Sequence, residues 1–282
     1  EQRPLLTTIL TAAGVPTRLL CEEDPAASPF TEGFAEVQGR FASSRGGGTE
    51  ADAPFARLLS AAASVLQNPG DDRHGSLLWL KSSGVPAGPQ PRGRRSFADK
   101  VPLLDRHLGK LLEAALADDV LFVVAAGRGE WPGHRHQLPE GCESLAECAV
   151  HTPLFVRVPG EEQGTRRRDF VQTTDLVPTL LDAFGLDPRG CDGTSLLPLV
   201  RGESQTPRDF VPLGEGRRCV AIHTDDYALI APVNDAGTIE PAAASLFVKP
   251  DDFWEVSNVR DQAPNVAEAL ARTLEEFVAR TG

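Results

Sequence analysis

Apolar positions along the chain alternate between two periods. Leu5, Leu6, Ile9 and Leu10 recur at helical spacing and stop before Gly14, a glycine placed to end a helix. Residues 15–21 then predict a short strand, residues 55–66 a helix, and residues 77–80 (LLWL) a buried strand. The clearest helical stripe is Leu104, Leu108, Leu111, Leu112, Ala115 and Leu116. It leads into residues 120–126 (VLFVVAA), whose unbroken apolar run predicts a central parallel strand, because such strands are covered on both faces. Residues 153–158 (PLFVRV) predict another strand. Asp175 is placed to cap a helix carrying Leu176, Leu180, Leu181 and Phe184, which Gly185 ends. Helices and strands alternating in this way predict an α/β fold, a mostly parallel central sheet with helices on both faces.

The pattern changes near residues 201–208. Beyond them, residues 219–223 and 227–231 are short strand-like runs separated by Thr224, Asp225 and Asp226, a natural hairpin turn. Residues 246–248 and 253–256 predict further strands. A last helix is expected with Asn265 as its cap, Glu268 three residues on, and an apolar face of Val266, Leu270, Leu274, Phe277 and Val278. The chain therefore divides, on sequence, into an α/β domain over residues 1–205 and a small α+β subdomain over residues 206–282.

Composition narrows the function classes. With 282 residues, 41% of them hydrophobic, the chain can bury a sizeable core. A formal charge of −12 excludes non-specific binding to nucleic acid or to an anionic membrane, whose phosphates would repel it. The longest apolar run falls far short of the roughly 20 residues of a membrane helix. No signal-like segment opens the chain, which starts at Glu1 without methionine, so a preceding segment is expected. The five cysteines contain no C-x-x-C pair and signal neither a zinc site nor a complete disulfide framework. Cys142 and Cys148 are the two near enough in sequence to approach each other; the rest read as small core residues. Gly46, Gly47 and Gly48 lack the Lys and Ser/Thr of a P-loop, and Arg92, Arg94 and Arg95 lie in a Pro/Gly-rich stretch; both read as surface loops.

Ligands of a parallel sheet collect beyond the carboxyl ends of its strands, which singles out the loop after residues 120–126. Its Gly127, Arg128, Glu130, His134 and His136 form the candidate pocket. His134 and His136, two residues apart, share a metal only if the loop folds back on itself. The plain alternative is a polar surface loop.

The order of segments resembles the sulfatase family of the alkaline-phosphatase-like superfamily. Residues 105–112 (DRHLGKLL) resemble the family's D-x-x-L-G-x-L-L helix, and residues 152–160 (TPLFVRVPG) are similar to its V-P-L-I-I-R-x-P-G. Residues 175–182 (DLVPTLLD) with Gly185 resemble D-x-x-P-T-L-L-D-x-x-G, and residues 192–199 (DGTSLLPL) resemble D-G-x-S-L-x-P-L. Residues 224–230 (TDDYALI) and 253–256 (FWEV) resemble R-T-D-x-Y-K-L-I and L-Y-D-L. The resemblance covers residues 99–282 and only loosely residues 1–98. It implies a central α/β sheet with a smaller C-terminal sheet and helix.

It also implies a nucleophile in C/S-x-P-S-R and a calcium site of carboxylates with Asn or His. Here residues 126–130 (AGRGE) stand where S-D-H-G-E is expected, so Gly127 replaces the metal-binding Asp and Arg128 its neighbour. No C-x-P-S-R or S-x-P-S-R occurs in the 282 residues, and an early Asp-Asp segment would precede Glu1. The family's G-K-W-H falls near residues 21–24 (CEED), without its Lys or His, and its P-H-x-P histidine is replaced around residues 83–86 (SGVP). The departures predict a catalytically inactive binding or structural module without cofactor or metal, with a small anion or a sulfated or phosphorylated ligand as partner. The alternative is a hydrolase of sulfate or phosphate esters, completed by an upstream segment or using His134 and His136 with a non-standard metal.

Overall fold

The computed structural model describes residues 4–27, 31–39, 41, 54–68, 75–82, 97–116, 119–129, 137–161, 164–203, 208–216, 218–235 and 237–281. These form two compact units. One comprises Glu1–Phe122 with Leu180–Pro188, the other 123–179 with Arg189–Gly282.

In the first unit, α1 (Leu6–Ala12) ends as the pattern predicts, with Gly14 at positive φ and the Val15 N–H returning to the Leu10 carbonyl. Strand β1 (Thr17–Cys21) is the centre of a parallel sheet, flanked by β2 (Glu36–Gln38) and β3 (Leu77–Lys81). Leu20 packs with Leu58, Leu59 and Ala62 of α2 (Pro54–Gln67) and Leu111 of α3 (Phe97–Leu116). Period two sends Leu19 and Cys21 to the opposite face, where both are also buried. The short β2 carried no hydrophobic signal, since its Glu36 and Gln38 are exposed. Strand β3 corrects the expectation of a buried strand. Among the described residues it pairs with β1 alone, and as an edge strand it buries only Leu77 and leaves Trp79 exposed.

In the second unit, β4 (Phe122–Ala125), whose first residue is counted with the first unit, pairs with β5 (Leu154–Arg157). This corrects the central position expected for residues 120–126. Among the described residues β5 is the one strand paired with β4, and the β4 side chains are half-buried to exposed. Small and β-branched residues suit a half-covered strand as well as a covered one, so the run alone overstated its burial. Asp175 is not the N-cap of its helix. Gln172 caps a 3-10 turn, Thr173–Asp175, that runs into α5 (Leu176–Ala183), and the Asp175 carboxylate accepts the Gln172 N–H at 2.7 Å as the acid of a capping box.

Four antiparallel strands follow the short helix α6 (Leu197–Val200): β6 (Val211–Glu215), β7 (Cys219–His223), β8 (Tyr227–Pro232) and β9 (Ser245–Val248), in that order. The expected hairpin joins β7 and β8, where Thr224 Oγ1 accepts the Tyr227 N–H at 3.0 Å. One face of this sheet packs Ile222, Leu229, Ala231 and Leu246 against Ala267, Ala271 and Leu274 of α7 (Pro264–Thr281). The other packs Cys219, Ala221, Ile230 and Phe247 against Cys142 and Leu145. Helix α7 starts at Pro264, so Asn265 lies in its first turn rather than capping it. Residues 253–256 form a turn-rich loop, not the strand expected.

The cysteines pair differently from the sequence reading. Cys142 is bonded to Cys219, 77 residues away, while Cys148 is free. The pairing follows from the sheet face that brings β7 onto the 138–145 segment, a contact that sequence proximity does not report. No helix among the described residues is long and apolar enough to cross a membrane.

Two measurements check this packing. Leu274→Asp puts a charge into the closed face between sheet and α7 and is expected to lower stability by about 3–5 kcal/mol in urea unfolding. A non-reducing peptide map is expected to link Cys142 to Cys219 and leave Cys148 alkylatable. Reduction should lower stability by about 2–4 kcal/mol, as for a disulfide closing a long loop.

Candidate functional site

Three places bear on chemistry. The first is the carboxyl end of the parallel sheet in the first unit. Here β1 runs into Glu22, Glu23 and Asp24, and β3 into Ser82. The Glu22 N–H bonds the Lys81 carbonyl at 3.2 Å, continuing the strand pairing, and its buried carboxylate accepts the Ser82 hydroxyl at 2.5 Å. Lys81 Nζ meets Glu23 at 2.9 Å. Carboxylates thus gather where the sequence resemblance expected a lysine and a histidine. Residues 83–86, where the other histidine was missed, lie outside the described residues.

The second is the loop after β4. Of the candidate pocket, Gly127 and Arg128 are described and both are exposed; Glu130, His134 and His136 lie outside the described residues. The loop is pinned at both edges. On entry, the Gly129 N–H donates to the Ala149 carbonyl at 2.8 Å, and a Cβ at Gly129 would run into the Cys148 carbonyl. Only glycine fits that approach. On exit, the Gln137 N–H donates to the Glu255 carbonyl at 3.1 Å.

Both pins lead to the third place, a buried ionic cluster that the sequence did not reveal. Helix α4 (Glu147–Val150) opens with Glu147, whose backbone N–H is shared by both carboxylate oxygens of Glu255 at 3.1 Å each. Glu255 thereby satisfies a donor that helix geometry leaves without an internal partner. Lys249 Nζ lies between the two acids, 3.2 Å from Glu147 and 3.1 Å from Glu255. His223, at the end of β7, places Nδ1 3.2 Å from Glu147, and His151 places Nδ1 2.7 Å from it. An ionised carboxylate only accepts, so both Nδ1 atoms carry the proton. His223 Nε2 is buried and has no partner among the described residues.

The two acids diverge electrostatically. Burial alone would raise the Glu147 carboxyl, but hydrogen bonds from His151 and His223 and the Lys249 charge outweigh it and hold the group far below its usual range. Glu255 is more enclosed and has fewer donors; burial raises it despite Lys249. The hydrogen bond to Glu147 in turn raises His151. Glu147, His223 and Glu255 are within reach of a common metal ion. The Lys249 ammonium already lies between the two carboxylates, and a dication there would meet its repulsion. The arrangement is therefore an internally neutralised clamp, joining α4, β7 and the loop after β9.

Comparison with known proteins places this scaffold. The sulfatase family model matches residues 26–186. The chain belongs to the sulfatase family. A second model, described as the C-terminal part of N-sulphoglucosamine sulphohydrolase, matches residues 143–280. Human arylsulfatase K is 26% identical over 191 residues, covering 62% of this chain and 34% of that protein. Goat N-acetylglucosamine-6-sulfatase is 40% identical over 86 residues, 28% of this chain and 15% of that one. The sulfatase chain here spans about a third of the length of the curated arylsulfatase K relatives it matches. The phosphonate monoester hydrolase of Agrobacterium radiobacter superposes with a TM-score of 0.69 at 16% identity, over 98% of this chain and 80% of that one. A 2-O GAG sulfatase superposes with a TM-score of 0.70 at 13% identity, over 99% and 75%. The fold is that of the alkaline-phosphatase-like sulfatases, with the antiparallel sheet as its C-terminal subdomain.

His151 reports on the clamp. Because its folded pKa is raised, its contribution to stability is complete below about pH 6.5 and is lost as pH rises through the folded value. An NMR titration of the His151 ring should give a midpoint above about 6.5 that falls back in Glu147→Gln. An unchanged midpoint in that variant would separate His151 from the clamp.

Proposed function

We propose that this sulfatase-family chain does not hydrolyse sulfate esters and acts as a binding or structural module. Its ligand is a small anion, or a sulfated or phosphorylated molecule, met by the loop bearing Gly127, Arg128, Glu130, His134 and His136. The observation that carries the reading is the pair Gly127 and Arg128 at the end of β4, where the family's S-D-H-G-E places a metal-binding carboxylate. Calcium wants several oxygen ligands. Gly127 offers no side-chain oxygen, and the exposed Arg128 brings a positive charge, so these residues do not fit the family's cation. A guanidinium there instead suits a bound anion directly, with a planar fork of donors.

The end of β1 supports the same reading. Glu22 and Glu23 stand where a lysine and a histidine would draw a sulfate, and carboxylates repel one. Relatives named as sulfatases support the sulfated ligand class. Loss of the cation and of the cationic side chains removes stabilisation of the charge that builds on the transferred group, and each 1.36 kcal/mol so lost is about tenfold in rate.

The test is turnover of an aryl sulfate and an aryl phosphate by the full chain, with and without added calcium, manganese or zinc. Blank-level rates are expected throughout. Turnover that disappears in the His134→Ala, His136→Ala double variant would overturn this reading in favour of a hydrolase with a non-standard metal site.

A further inference from the structure

The clamp holds two carboxyl groups against a single ammonium. A carboxylate oxygen of Glu147 and one of Glu255 lie within 4.8 Å of each other, and Glu255 is 1% exposed. Among the described residues Lys249 is the one lysine or arginine that meets them, and its ammonium also donates to the Asp252 carbonyl at 3.2 Å. With both acids ionised, one positive charge faces two negative charges in a site closed to water, and joint ionisation is opposed. A single proton restores the balance. The donors decide where it goes. Glu147 receives two histidine Nδ1–H groups besides Lys249, whereas Glu255 receives Lys249 and the one N–H of Glu147. Glu147 is the acid kept ionised, and Glu255 is the one that takes the proton.

The groups facing Glu255 come from every element packed on it. Helix α4 presents Glu147 and the Cys148 thiol, which burial and then Glu255 push up, so that it adds no charge. Strand β7 presents His223, and the loop itself presents Lys249. The Asp252 carboxylate is turned away, to the Val256 and Ser257 N–H groups at 3.0 and 2.9 Å. His151, with Arg166 acting on it, lies on the Glu147 side. Glu255 is also where the clamp meets the chain path. Its φ of 56° costs a non-glycine residue energy and persists only where the surroundings enforce it, here through the carboxyl group held by Lys249 and the Glu147 N–H. Its carbonyl pins Gln137, and the helix that Glu147 opens pins Gly129 through the Ala149 carbonyl. A second negative charge in the clamp pushes the two acids apart and relaxes both pins.

We propose that the clamp is a proton-dependent latch: it holds with Glu255 protonated and loosens as Glu255 ionises, releasing the N–H groups of Gly129 and Gln137. Burial raises the Glu255 carboxyl, so the stability it contributes is complete below about pH 4.5 and is lost as pH rises through its folded value. His151 runs the same way, losing its contribution as pH rises through a folded value above 6.5. Glu147 runs the opposite way, but its contribution fails only in acid far below its usual range, outside this window. The latch is thus tight in mild acid and loose at neutral pH and above. Neither hydrolysis nor ligand binding enters this device, so it stands or fails apart from the proposed function.

Amide hydrogen exchange of the full chain is followed by NMR from about pH 5 to about pH 8, with each rate referred to unprotected exchange at the same pH. Protection of the Gly129 and Gln137 N–H groups is expected to fall by up to about tenfold per pH unit above the Glu255 midpoint, the limit for one linked proton. Leu229, in the central strand β8, should keep its protection throughout. Glu255→Gln has the same size and cannot ionise, so both pins should stay protected at every pH. His151→Gln should leave the pH dependence in place. Flat protection in the parent overturns the latch. So does a pH dependence that survives Glu255→Gln, and one that disappears in His151→Gln assigns the effect to the histidine instead. The carbon-13 titration of the Glu255 carboxyl in the parent decides without any variant. A midpoint above 4.5 that coincides with the loss of protection is expected, and a midpoint at or below it overturns the proposal.

Discussion

Two carboxylates sharing one buried ammonium hold one face of the second unit in place. Glu147 and Glu255 are taken out of water within reach of each other, an arrangement that repels itself unless positive charge and donors are supplied. Lys249 supplies the charge, and His223, His151 and the first N–H of α4 supply donors. The partners come from three segments, so the electrostatic requirement fixes α4, the end of β7 and the loop after β9 to one another. From that clamp hang the entry and exit of the 127–136 loop, through Ala149 and Glu255.

The segments that resemble the family can be explained by packing rather than by chemistry. Asp175 is fully buried and meets Arg208 through two hydrogen bonds of 2.6 and 2.7 Å, while accepting the Thr194 N–H at 2.9 Å. Burial raises its carboxyl, but Arg208 and the backbone donors outweigh it and hold the group below its usual value. Thr179 gives its hydroxyl to the Asp175 carbonyl and accepts the Leu196 N–H at 2.9 Å. Gly193 lies against the Thr174 carbonyl, with no room for a Cβ. The D-x-x-P-T-L-L-D and D-G-x-S segments are thus two halves of one internal lock, and breaking such a buried pair costs about 3–5 kcal/mol.

The family assignment therefore rests on scaffold, and the proposed function on the residues at the ends of β1 and β4. Gly127, Arg128, Glu22 and Glu23 lie at strand ends. The exposed positions Gly127 and Arg128 can change without disturbing β4, whereas Glu22 and Glu23 also tie β1 to the end of β3 through Ser82 and Lys81.

Periodicity along the chain determined the helices of the first unit, the β7–β8 hairpin, the apolar stripe of α7 and the loop at the end of β4. These depend on contacts between residues close in sequence, or on a face repeating at 3.6 or 2 residues. The same information was too local for β2 and β6, which carry little apolar signal, and it overstated the burial of β3 and β4. It also could not find the clamp. Glu147 and Glu255 are 108 residues apart, and Lys249 and Glu255 sit in a stretch whose Phe253, Trp254 and Val256 predicted a strand. Nor could it pair Cys142 with Cys219 across 77 residues. Which acids are desolvated together, and which cation neutralises them, is settled only when the β7–β9 sheet and α4 close on one another. Burial, and with it the strength of a charge, belongs to the folded arrangement and to no residue alone.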